Sequence, residues 1–182
     1  MKIKEALVRA RALEIMKGGM PKSFEYATAL LNKKLLKKTR GGYRLTDKAK
    51  KMVRVIMTGG VFDILHPGHL YMLEKCKKMG DLLVVIVAHD KTVKKRKKKK
   101  PIHSHFWRAR MVGALKPVDV VLIGDPHDRL RVIRKVEPSL VVFGYDQEPF
   151  ETGCKWIQVK EKLNESKFKT SKIRELDSVN RE

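Results

Sequence analysis

The sequence predicts an α/β fold: an open, parallel, doubly wound sheet preceded by a small basic module. Three observations carry this. Beyond residue 53, short continuous apolar runs alternate with amphipathic stretches, the pattern of strands buried on both faces and of the helices that cover them. Hydrophobic residues make up 42% of the 182, enough to bury a core. Charge also changes along the chain. Residues 1–54 hold 16 basic and 4 acidic side chains, whereas residues 55–182 hold 26 and 16, and seven of those 26 form one run over 94–100. The expected parts are therefore a basic module at 1–52 and an α/β domain at 53–182.

In the module, Ile3, Leu7, Ala10 and Leu13 space a first helix that Gly18, Gly19 and Pro21 end. Ser23 is a cap for a second helix over 24–32. Residues 34–38 and 43–45 flank Arg40-Gly41-Gly42 as a hairpin, and Thr46 caps a last helical turn. In the α/β domain, strands are expected at 53–58, 82–88, 119–123, 140–143 and 156–159. Helices are expected at 69–79, at 104–115 with Trp107, Met111 and Leu115 on one stripe, at 126–136 with Pro126 in first position, and at 171–176. The run 94–100 has three readings, a solvated loop, a nucleic-acid tether or part of a phosphate-gathering lid; because seven like charges repel one another, a flexible lid that supplies one working lysine is preferred.

Composition excludes several classes. No apolar run reaches the ~18 residues of a membrane span, and no signal-like core opens the chain. The two cysteines, Cys76 and Cys154, are far apart and lack CxxC spacing, which rules out a disulfide scaffold and a thiolate zinc site. Cys76 shares a helical stripe with Met72 and Met79, as a core thiol does. A reducing cytoplasm is the expected compartment. The formal charge of +22 favours polyanionic or nucleotide ligands. A charged fraction of 34% with only five Asn and Gln is also the composition of a heat-adapted surface. There is no GxxxxGK[ST] and no GxGxxG, which removes P-loop kinases and dinucleotide oxidoreductases.

The informative stretch is Thr58-Gly59-Gly60-Val61-Phe62-Asp63-Ile64-Leu65-His66-Pro67-Gly68-His69, lying between a strand and a helix. Gly60 and its neighbour allow a sharp, close backbone. Gly68 and His69 place amide donors at a helix start, where anions bind. Two imidazoles bracketing Pro-Gly at such a turn read as ligand donors. Beyond it stand Arg108, then Gly144-Tyr145-Asp146-Gln147 after the fourth strand, then Lys169-Thr170-Ser171-Lys172.

These blocks, in this order, resemble the cytidylyltransferase-like (HxGH) nucleotidyltransferases, a Rossmann-like fold, over about residues 53–176. The likeness implies that a phosphate monoester attacks the α-phosphorus of ATP or CTP and that pyrophosphate leaves. It implies that His66 and His69 stabilise the transition state, with Lys94 as the catalytic lysine among the competing Lys91, Lys94 and Lys95. It implies a nucleotide site from Gly60, Val61, Phe62, Gly68, Arg108, Gly144, Tyr145, Asp146, Gln147, Thr170 and Ser171. Asp63 braces the loop or positions the acceptor. Mg²⁺ is expected with the nucleotide and no metal cluster of the protein's own. Val61 departs from the threonine many relatives carry.

Within the superfamily the chain is similar to archaeal FAD synthases, through His-Pro-Gly-His, the basic run before Pro101, residues 114–119 and Gly144-Tyr145-Asp146-Gln147. That likeness implies FMN and ATP giving FAD, with Tyr145, Phe150 and Trp156 as surfaces for the flavin. The alternatives are CTP with glycerol-3-phosphate or a similar small phosphate, and ATP with phosphopantetheine. A homodimer is expected. The order of elements in 1–52 resembles a winged helix, which makes DNA a possible partner of that module and a DNA-binding regulator the competing class of function. On the enzyme reading, a fragment lacking the module is expected to keep nucleotidyl transfer.

Overall fold

The computed structural model describes residues 2–98 and 100–160. The expected final helix, with Thr170 and Ser171, lies outside the described residues. Five elements make up the first 52 residues: α1 (Ile3–Lys17), α2 (Ala27–Asn32), β1 (Leu36–Thr39), β2 (Gly42–Leu45) and α3 (Asp47–Lys51). The larger part runs β3 (Val55–Gly60), α4 (Pro67–Lys77), β4 (Leu82–Val87), α5 (Asp90–Lys97), α6 (His105–Gly113), β5 (Val120–Ile123), α7 (Arg129–Val136), β6 (Leu140–Phe143) and β7 (Trp156–Gln158).

The sheet is parallel throughout, in the order β5-β4-β3-β6-β7. Alternate residues of its strands feed two cores, as the period of two requires. Ile56, Leu83, Val85, Val87 and Val142 face Leu73 and Cys76 of α4 and Val112 of α6. Burial pushes the Cys76 thiol up to about 12, so it is an inert part of this core. Val55, Met57, Leu82, Val84, Val120, Val141 and Phe143 face the other way, towards Ile133 and Val136 of α7.

That second core does not stop at the domain. It continues through Ala6, Leu7, Ala10 and Ile15 of α1 and on to Leu30, Leu36 and Leu45. The expected boundary at 52/53 lies between α3 and β3, yet one apolar core runs across it. Polar contacts reinforce the seam. Arg11, 3% exposed, donates to the Val136 carbonyl at 2.7 Å, where α7 ends, and to Glu14 at 2.9 Å. Lys50 and Arg11 both reach Glu137, and the Lys50 hydrogen bond holds that carboxyl below its ordinary value. Lys4 pairs with Asp81 at 2.8 Å. The hairpin pairs Leu36 with Leu45, and the side chain of Thr46 caps α3 as expected.

Several elements differ from the expectation. α2 begins at Ala27, and Ser23 does not cap it. Residues 21–26 form successive turns, with Phe24 N bonded to Pro21 O and Ala27 N to Phe24 O. Burial of Phe24 against Tyr26 fixes that path. α7 begins at Arg129 and not at Pro126. Asp128 is its cap, and Asp125 closes a turn by accepting from the amides of His127 and Asp128. Trp107 is 58% exposed. The inward stripe of α6 is Arg108 and Val112, so the helix is rotated from the predicted face.

The basic run is corrected most. Its first four residues are helical and complete α5, with Val93 buried and Lys94, Lys95 and Arg96 exposed. Lysine and arginine are good helix formers. His89 accepts from Lys91 N as the cap, and Asp90 sits in the first turn, where a negative charge is favoured.

Candidate active site

The parallel strands all end on one side. Beyond those ends lie 61–66 after β3, 88–89 after β4, 124–128 after β5 and 144–147 after β6. Backbone bonds tie these exits together: Ala88 N to Gly60 O at 2.9 Å and Gly124 N to Val87 O at 2.9 Å. A ligand on such a sheet meets these loops.

The loop after β3 is shaped by its residues. A Cβ on Gly60 would stand 2.9 Å from the ring of Phe62, so only glycine lets that ring fold back. Phe62 has φ 52° and is buried. Its ring lies against His69, with centroids 5.0 Å apart. His66, extended, is the N-cap of α4, with Pro67 in first position. The His66 and His69 rings sit 3.8 Å apart, and a Cβ on Gly68 would press on His66 at 3.1 Å. Both imidazoles and the Gly68 amide thus share one spot, a donor set for a phosphate; the His69 amide, expected as a further donor, is spent on the His66 carbonyl at 2.9 Å.

Asp63 is 7% exposed and accepts from Ile102 N at 2.7 Å and His103 N at 3.3 Å. Of its two expected roles, bracing the loop is the one these bonds perform. Arg108 needs correction. The sequence reading gives its guanidinium to a phosphate, but the side chain is 0% exposed. It donates to His103 O at 2.9 Å, Ala88 O at 2.8 Å, Asp90 Oδ1 at 2.6 Å and, more closely still, Val61 O. Three stretches of chain, at 61, 88–90 and 103, meet on this one cation.

Gln147 is likewise committed. Its amide accepts from Gly144 N at 2.8 Å and donates to Gly59 O at 2.6 Å, tying β6 to β3. Gln158 adds a bond to Gln147 O. Tyr145 and Asp146 are the exposed side chains of that turn. Among the expected flavin surfaces, Phe150 and Trp156 pack edge-on to Phe143, and only Tyr145 stands on a loop at the strand ends. Val61, which contributes its carbonyl to Arg108, offers no side-chain donor there.

Sequence reasoning missed one cluster. Asp90 Oδ2 lies 2.8 Å from His105 Nδ1 while Oδ1 takes Arg108, and the rings of His89 and His105 stack at 4.1 Å. Burial opposes ionisation of Asp90, but the bonds from His105 and Arg108 win and lower its pKa. Burial and the neighbouring His105 lower that of His89. The signal was present: His89-Asp90 directly follows a strand, and His103-Ser104-His105 opens a helix.

Among the described residues, no three His, Cys, Asp or Glu side chains converge as a metal site, and no helix is long and apolar enough to cross a membrane. An open cavity of about 510 Å³ lies elsewhere, between α7 and residues 152–154, and gathers none of these groups.

With strand-end loops, paired histidines and a basic helix in place, the comparison with known proteins is decisive: the family model described as cytidylyltransferase-like matches residues 57–178. The chain belongs to the cytidylyltransferase-like family. It is thereby a nucleotidyltransferase. An FAD synthase of Thermococcus sibiricus is 44% identical over 126 residues, 69% of this chain and 81% of that protein. One of Pyrococcus abyssi is 45% identical over 125 residues, 68% of this chain and 80% of its own. One of Archaeoglobus profundus is 52% identical over 96 residues, covering 53% and 60%. The crystal structure of a lipopolysaccharide core biosynthesis protein from Thermoplasma volcanium is also similar. It has a TM-score of 0.57 and 33% identity, and spans 62% of this chain and 99% of its own. This chain thus carries residues that the Thermoplasma structure has no counterpart for.

Proposed function

We propose that this chain transfers the adenylyl group of ATP to FMN, yielding FAD and pyrophosphate. The observation that carries the reading is the 44–52% identity to FAD synthases across the segment that builds the site. In the step, a phosphate oxygen of FMN bonds to the α-phosphorus of ATP. The bond from that phosphorus to the bridging oxygen breaks, and the electron pair leaves on pyrophosphate. No enzyme nucleophile is needed, so positioning and charge stabilisation do the work.

The side chains of His66 and His69 and the amide of Gly68 take the phosphoryl oxygens. Asp63, Arg108 and Gln147 hold the loops that present them. Lys94, on α5, supplies a cation to the triphosphate, and Thr170 and Ser171, outside the described residues, are assigned its β- and γ-phosphates. Tyr145 and Asp146 face the base. Mg²⁺ is assigned to the ATP substrate, where it neutralises charge on the pyrophosphate leaving group.

The test is pyrophosphate release with Mg²⁺, crossing ATP and CTP against FMN, glycerol-3-phosphate and phosphopantetheine. Release with ATP and FMN, with FAD appearing on chromatography, is the expected result. Release only with CTP and a small phosphate keeps the mechanism and overturns the substrates.

A further inference from the structure

We infer that His105 and His89 are positioning residues for nucleotidyl transfer: their stacked pair holds Asp90 on Arg108 and so sets the phosphate loop and the lysine helix relative to each other. The inference rests on the proposed transfer reaction and names residues that reaction does not itself require. Arg108 is the hub, joined to Val61 of the phosphate loop, Ala88 after β4 and His103 before α6. Among the described residues its hydrogen bond to α5 is the one to Asp90 Oδ1. The other oxygen of Asp90 belongs to His105 at 2.8 Å. His105 in turn covers His89, whose Nδ1 accepts Lys91 N at 3.1 Å and caps α5.

The path therefore runs from the β3 loop through Arg108, Asp90 and His105 to the cap of the helix bearing Lys94. Every link is a named hydrogen bond or ring contact.

The chemistry makes this path sensitive to protons. A protonated His89 has no lone pair on Nδ1 for Lys91 N, so α5 loses its cap. The groups facing His89 are His105, Asp90, Lys91 and Arg108, three of them able to carry positive charge. Those facing His105 are Asp90 on one ring edge, and His89 and Phe106 on its faces. A second cation in this stack repels the first, and only Asp90 offsets it.

The experiment compares His105→Phe, His105→Asn and His89→Asn with wild type. ATP affinity is read by calorimetry, FAD formation from pH 5.5 to 8.5, and thermal stability serves as a folding control. Phenylalanine keeps the stack and loses the bond to Asp90. It is expected to cut turnover about tenfold and to weaken ATP, because small displacements of a reacting geometry are costly. Asparagine at 105 restores an N–H near the Nδ1 position and is expected to recover most of both. Asparagine at 89 keeps an acceptor for Lys91 N but does not titrate, so the acid limb of the rate profile moves to lower pH.

The inference is overturned if His105→Phe matches wild type in both readouts, if His105→Asn does no better than His105→Phe, or if the acid limb is unmoved in His89→Asn. Should His105→Phe fail to fold, the two asparagine variants decide the matter through the acid limb and ATP affinity. A wild type that binds ATP yet makes no FAD sinks the acceptor reading, while ATP affinity still judges the histidine pair. A wild type that binds no ATP sinks both.

Discussion

Replacing Arg108 with methionine separates two roles for the most buried cation among the described residues. Methionine fills the volume of the stem but donates nothing. Three backbone carbonyls, of Val61, Ala88 and His103, lose a donor, and Asp90 loses one of its two partners. Stripping one partner from a buried ion pair costs about 3–5 kcal/mol. Asp90 is one-third exposed, so water recovers part of its share. The carbonyls add about 1–3 kcal/mol for each that stays dry. A net loss of about 4 kcal/mol is expected, which at roughly 2–4 °C per kcal/mol for a chain of this size lowers Tm by about 8–16 °C.

Urea titration and thermal melts measure the loss, and ATP calorimetry on the folded variant measures the site. The expected pattern is a large loss of stability with weakened ATP binding. A variant as stable as wild type that nevertheless loses ATP would refute the hub and return Arg108 to the phosphate.

His69→Ala is expected to lower turnover by at least about 100-fold with little change in ATP affinity, as removal of a transition-state donor does; single-turnover FAD formation reads it. Leu7→Ala, in the core shared by α1 and the sheet, is expected to cost about 2–5 kcal/mol in urea unfolding of the whole chain. A loss confined to a separate early transition would show that 1–52 unfolds by itself. Acid stability follows Asp125. The amides of His127 and Asp128, then Arg131, lower its carboxyl from the ordinary 3.8 to about 2. That contribution is complete above pH 3.8 and disappears as pH falls through 2. Urea midpoints at pH 5 and pH 3 should therefore converge more closely in Asp125→Asn than in wild type.

The order of elements was legible because each has a local cause. The apolar runs at 82–87 and 140–143 have no polar face and suit a strand covered on both sides. The Gly-rich turn before His66 and Pro67 marks a strand-to-helix phosphate loop. What escaped has non-local causes. Arg108 looks like a ligand from sequence, because nothing near it in the chain announces three carbonyls and a carboxylate waiting for it. Trp107 looks apolar and therefore internal, yet the inward position on α6 goes to Arg108 because that cation satisfies four acceptors at once. The run 94–100 looks too charged to fold, but the cap from His89 and the carboxylate of Asp90 act at the helix start, outside the run itself. Arg11 breaks an otherwise apolar stripe for a similar reason: its partner, the end of α7, is 125 residues away.

That separation bears on how the molecule is made. α1 is made before the sheet, and the surface it covers is completed only when β5 and the end of α7 have been synthesised. Until then its apolar stripe of Ala6, Leu7, Ala10 and Ile15 is covered only from within the first 52 residues, by Leu30, Leu36 and Leu45. Contacts this distant close late and slow the search for the native topology. The surplus of lysine and arginine in the first 54 residues gives the waiting segment a use for its charge: mutual repulsion between nascent chains keeps their half-covered helices apart.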